Sequence, residues 1–191
     1  DQEAEAKARE SGLRHWKTNP RVDYLIGRKL SQKYRFTEGA AYQRQALKFD
    51  SEYLPARSQL AQDLLRLGED EEGWKLAGEV HNTDGYDVTA YNLSTLHENI
   101  VKFRTLTNRD FIVRMSAQEA GIYGDQVLAL LQRAKAALCA KYGMELKQPT
   151  IVEIFPEQKD FAVRTFGMPG GAGYLGVCFG RVITANSPAA N

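Results

Sequence analysis

The chain has 191 residues, 43% of them apolar and 26% charged, with 25 Lys and Arg against 24 Asp and Glu for a formal charge of +1. That is enough apolar material for a sizeable core, which excludes wholesale disorder, and the charge balance gives no reason to expect a nucleic-acid partner. The longest apolar runs are too short to cross a bilayer.

The chain opens DQEAEAKARE, without Met and already helical in character, so it reads as a piece of a longer protein. Its cellular address is not legible from this end. Residues 1–17 read as the second helix of a partial repeat unit (1–19), broken before Asn19-Pro20, with Gly12 at the small position that Ala46 holds further on.

A repeat then becomes explicit. An offset of 34 residues places Ile26 and Gly27 on Leu60 and Ala61, Leu30 on Leu64, Gly39 on Gly73, and Ala46 on Val80. The units run over about 20–53 and 54–87, each built from two short helices; in the first unit these are expected from about Asp23 to Lys33 and from about Thr37 to Lys48. Small residues let helix axes approach, while Leu30, Leu60 and Leu64 fill the grooves between them. Because a two-helix unit cannot bury its apolar side alone, such units must stack. Residues 88–103 then read as a closing helix with Tyr91, Leu93, Leu96, Ile100 and Phe103 as its apolar stripe.

After Phe103 the period falls to two. Phe111, Val113 and Met115 alternate with Ile112 and Arg114 as a strand, and Ser116 with Glu119 three residues on reads as a capping box. The helix it opens is expected to reach Tyr142, with Tyr123, Val127, Leu130, Leu131, Ala134 and Leu138 on one face, and to stop at Gly143. Ile151–Phe155 is a second strand halted by Pro156, and a short helix runs from Glu157 to about Phe166. Glycines 167, 170, 171 and 173 follow, and then Leu175–Phe179 and Val182–Ala185, which either pair as a hairpin or form one bent strand. A phosphate-binding loop would need the order strand, glycines, helix, whereas here the order is helix, glycines, strand. Cys139 and Cys178 sit among apolar neighbours and read as small buried hydrophobes in preference to a disulfide. The fold class is therefore α + α/β, with helical repeats over 1–103 and a small mixed lobe over 104–191.

The repeat resembles the tetratricopeptide repeat. Gly27 and Ala61 match that family's small eighth position, Gly39 and Gly73 its twentieth, and Ala46 its twenty-seventh, where Val80 is larger. Its usual aromatic at the fourth position is replaced by Asp23 and Arg57. The segments DFIVRMSAQEAGIYGDQVLALLQRAKAALCAKYG, TIVEIFPEQKDFAVRTFGMPG and GYLGVCFGRVITANSP are similar to the start of a gluzincin zinc metallopeptidase. More narrowly, they resemble the peptidase-MA-like domains that follow such repeats in some large bacterial proteins.

That resemblance implies a zinc-binding HExxH helix shortly after the last strand, with two imidazoles one helical turn apart and a glutamate that polarises water. The chain stops before such a helix. Its histidines are His15, His81 and His97, and HENIV at 97–101 puts Val101 where the second ligand would stand, so His97 and Glu98 read as a surface pair. This piece is expected to be inactive and to hold no cofactor, with zinc belonging to a longer parent. What carries over is substrate placement: Val182, Ile183, Thr184, Ala185 and Asn186 as an open sheet edge that pairs with an extended peptide, with Gly176 to Phe179 near it, and Gly170, Gly171 and Gly173 as its lid. The expected partner is a polypeptide or the remainder of the same chain, together with self-association through apolar surface left uncovered. The alternative is a non-catalytic module that binds other proteins on its repeats.

Overall fold

The computed structural model describes residues 2–171 and 173–190. Asp1, Ala172 within the glycine-rich stretch, and Asn191 lie outside the described residues. The chain is mostly helical with one small mixed sheet, and it divides into two compact units, Asp1–Ser94 and Thr95–Asn191.

The first unit contains α1 (Gln2–Gly12), α2 (Pro20–Ser31), α3 (Phe36–Phe49), α4 (Leu54–Leu67), α5 (Asp70–Thr83) and the start of α6 (Val88–Ile100). Helices that open at residues 20, 54 and 88 are spaced 34 apart, as are those that open at 36 and 70. Local chemistry sets the boundaries. Asn19 caps α2 by accepting from the Arg21 amide at 3.1 Å, with Pro20 in the first turn, where its missing N–H costs nothing. Gly68, at φ 78°, ends α4, and the Gly68 and Glu69 amides return to the carbonyls of Leu65 and Leu64.

The core of this unit is thin and depends on small residues. Ala40, Leu60 and Leu64 form its centre, with Leu47, Leu67 and Leu76 against them. A Cβ on Gly27 would lie 2.8 Å from the Gly39 carbonyl oxygen, and one on Gly73 would lie 2.8 Å from Leu65 Cγ. Leu30, Ala46, Ala61 and Val80 are all buried, so each repeat-packing position of the sequence lies inside. Arg9 of α1 grips the buried Asp23 of α2 through Nε and Nη2 at 2.5 and 2.9 Å, and Tyr42 donates to Glu5 at 2.7 Å. In α6 the buried stripe is Ala90, Leu93, Leu96 and Ile100. Tyr91, expected inside, is 53% exposed and stacks edge-on against His81 instead. It sits one residue off that stripe, about 100° round the helix.

The second unit holds the end of α6, β1 (Arg104–Thr107), β2 (Phe111–Met115), α7 (Ala117–Tyr142), β3 (Thr150–Phe155), α8 (Gln158–Phe166), β4 (Gly176–Cys178) and β5 (Val182–Asn186). The sheet order is β1-β2-β3-β5-β4. β2, β3 and β5 run parallel, and β1 and β4 lie antiparallel at the two ends. β1 is absent from the sequence expectation. Asn108 makes it, because its side chain accepts from the Asp110 and Phe111 amides at 2.9 Å each and turns the chain back into β2.

Ser116 caps α7 by accepting from the Glu119 amide at 3.3 Å. The Glu119 carboxylate accepts from the hydroxyls of Ser116 and Ser187, so it fastens the segment after β5 to the first turn of α7. Ser116→Ala is expected to cost about 1 kcal/mol in urea unfolding, and an unchanged midpoint would remove the cap from the account. Gly143, at φ 60°, ends the helix. Tyr123, Val127, Leu128 and Leu131 pack on Phe111, Val113, Met115, Val152 and Ile154, but Leu130 and Leu138, expected on the same face, are 56% and 50% exposed. α7 therefore covers the sheet mainly with its first half.

All six residues of β3 are buried, as suits a central strand covered on both faces. The face away from α7 sets a polar cluster among the buried apolar side chains of Ile151, Phe155 and Val182. Glu153 pairs with Arg164 of α8 at 2.7 Å and with Arg114 of β2 at 3.1 Å, while Thr165 and Thr184 share a hydrogen bond at 2.9 Å.

Candidate functional site

The hairpin reading of 175–185 holds, with Gly180-Arg181 as its turn and Gly180 at φ 90°. This corrects the position of the expected substrate edge. Val182, Ile183, Thr184, Ala185 and Asn186 form an interior strand, bonded to β3 on one side and β4 on the other. A tight turn brings the preceding segment back along the outer side of β5, so the end strand of the sheet is β4.

Which β4 groups face outward follows from the pairing. The Asn186 amide donates to the Leu175 carbonyl at 2.9 Å, and the Phe179 amide to the Val182 carbonyl at 2.8 Å. Backbone groups alternate sides along a strand, so Leu175, Val177 and Phe179 face β5, and the N–H and C=O of Gly176 and Cys178 point to the other side. Gly176 suits this close pairing, because a Cβ would lie 3.1 Å from the Thr184 carbonyl oxygen and the two strands would have to give slightly.

The approach to β4 is held by side chains. Asn186 donates to the Tyr174 carbonyl at 2.9 Å and to Gln158 Oε1, and Gln158 Nε2 donates to the Gly171 carbonyl at 3.3 Å. Phe166 and Tyr174 stack with ring centroids 5.4 Å apart, and Gly171 lies so close to the Phe166 ring that a Cβ would meet it at 2.7 Å. Of the three expected lid glycines, Gly171 is thus anchored, whereas Gly170 and Gly173 adopt positive φ of 132° and 95° in open space. Tyr174 and Leu175 are 54% and 81% exposed, which gives the strand an apolar margin. The sequence signals for this site were the glycine run and the Gly180-Arg181 turn; the direction of β4 was not among them.

Zinc does not fit the described residues. Among them, no three His, Cys, Asp or Glu side chains group to hold a metal ion. Cys139 is half-buried and Cys178 exposed, both as free thiols, so neither is the fully buried hydrophobe that its neighbours in sequence suggested. Among the described residues no helix is long and apolar enough to cross a membrane. No protein-family model, curated protein or solved structure matches the chain.

Proposed function

We propose that the second unit is the substrate-side lobe of a gluzincin-type zinc peptidase, with the repeats as its scaffold, and that β4 pairs with an extended polypeptide. The observation that carries this reading is the antiparallel end strand, whose Gly176 and Cys178 backbone groups face away from β5. An extended chain adds to such an edge through main-chain hydrogen bonds, while neighbouring apolar surface selects side chains. The succession of strands and helices from 104 to 191, which resembles that family, supports it further. The described residues contribute binding and alignment, and no chemical step is assigned to them.

Amide shifts in NMR give the test. A labelled protein titrated with an extended apolar peptide should shift the Gly176 and Cys178 amides more than those of Val177 and Phe179. Equal shifts along the hairpin, or shifts confined to β1, would reject edge pairing. The peptidase reading is tested separately by the coding sequence that follows residue 191, where an HExxH helix is expected and its absence counts against the reading.

A further inference from the structure

We infer that the loop joining α1 to α2, with the groove beside it, docks the first unit on an anionic lipid surface. The inference stands on the first unit by itself and not on the peptidase reading. Residues 11–22 read SGLRHWKTNPRV and contain no Asp or Glu, while Arg14, His15, Lys17 and Arg21 all stand exposed. Trp16 sits among them and is 58% exposed. Its loop is held in a turn, since the Trp16 carbonyl accepts from the Asn19 amide at 3.2 Å and its indole N–H donates to Thr18 Oγ1 at 3.1 Å. An indole kept in water in this way, between an arginine and a lysine, is a side chain that a membrane interface takes up. Its body is apolar and its edge polar, and the neighbouring cations meet lipid phosphates.

A second observation falls at the same place. Arg14 and Lys17 line a groove of about 1020 Å³ that runs against Tyr42 of α3, with Ala6, Lys7 and Leu13 in its walls, so a headgroup has room beside the ring. The acids around it are mostly engaged. Asp23 is buried on Arg9, Glu5 accepts from Tyr42, Glu3 pairs with Lys7 at 2.7 Å, Glu38 with Arg35 at 2.9 Å, and Glu52 with Arg57 at 2.7 Å. Two are left, and both flank the loop from helix ends: Glu10 in the last turn of α1, which also lines the groove, and Asp50 just after α3. Arg14 and Lys17 make no ion pair among the described residues, so they remain available to an anion brought from outside. A nucleic acid would ask for more cations and more stacking rings than one indole.

Vesicles of equal parts phosphatidylcholine and phosphatidylglycerol, mixed at low salt with the full 191-residue protein, test the inference. Trp16 reports directly, because the other tryptophan, Trp74, is only 8% exposed. Trp16 emission should move to the blue on these vesicles and stay unchanged with phosphatidylcholine vesicles or with glycerol phosphate free in solution. In sedimentation, Arg14→Gln should weaken vesicle binding about fivefold, the size expected of one cation at an anionic surface, and Trp16→Ser should weaken it at least as much. Lys33→Gln, an exposed cation just past the far end of α2, should change nothing, and circular dichroism should match wild type for all three variants. No blue shift on the mixed vesicles, an equal shift on phosphatidylcholine alone or with free glycerol phosphate, or equal losses from Arg14→Gln and Lys33→Gln would each overturn it. So would the same shift from an acidic peptide or an oligonucleotide in place of vesicles.

Discussion

Arg164→Leu is expected to lower stability by about 3 to 5 kcal/mol, the usual result of removing one member of a buried ion pair. The reason is what remains. Glu153 is 1% exposed at the centre of the sheet, and without Arg164 its remaining ion pair among the described residues is with Arg114, whose side chain is 22% exposed and 3.1 Å away. A carboxylate in that position loses hydration and half of its compensation together. Glu153→Leu should also be costly, because it removes the buried carboxylate that faces the Arg164 guanidinium at 2.7 Å. The double change should recover most of the loss, since an apolar pair of similar size is often no worse than the ions it replaces. Urea unfolding of the two single variants and the double would measure this. Singles that cost less than about 1 kcal/mol, or costs that simply add, would show that the pair is not coupled as described.

The second large effect is a pH dependence that Asp63→Asn should abolish. Asp63 is wholly buried in α4, where it meets Ser31 Oγ of α2 at 2.7 Å, Gln59 Nε2 at 3.0 Å and, more distantly, Arg66 at 3.9 Å. Burial pushes its carboxyl up to about 6, against the opposing pull of Ser31, Gln59 and Arg66. The Ser31 hydroxyl has one proton but two acceptors in reach, Asp63 Oδ2 and the Gly27 carbonyl at 3.0 Å. A protonated Asp63 resolves this by donating to Ser31, which then donates to Gly27.

Raised above its unfolded value, the group binds its proton more tightly in the folded state. Its stabilisation is complete below about pH 4 and is lost as pH rises through about 6. A shift of about two units corresponds to about 3 kcal/mol. Between pH 4 and pH 7.5, wild type should therefore lose about that much stability relative to Asp63→Asn, whose amide can donate to Ser31 at every pH. Carboxyl carbon shifts would locate the titration directly, and a midpoint near 4 would remove the effect.

How much was legible in the sequence differs between the two units. Repeat helices depend on local spacing, so Gly27, Gly39, Ala46 and Gly73 announced the close approaches that the structure contains. Tyr91, Leu130 and Leu138 were misjudged because helical periodicity says which residues could face inward, while the partner surface decides how wide the buried stripe is. β5 was taken for an edge because strand order depends on where a turn sends the chain, and the Gly180-Arg181 turn left two outcomes open. The ion pair did leave a trace. Glu153 interrupts the apolar run IVEIF, and Arg164 interrupts FAVRTF. Single charges of opposite sign inside two successive apolar stretches are a signal for buried partners.

β3 takes its two neighbours from distant parts of the chain, β2 some forty residues earlier and β5 about thirty later. A nascent chain can dock α2, α3, α4 and α5 almost as each is made, because each meets the one just before it. The central strand has no such convenience. Until β5 has left the ribosome, one backbone edge of the largely apolar β3 is unpaired, so a pause in synthesis between residues 155 and 182 is where this protein would be most exposed to aggregation.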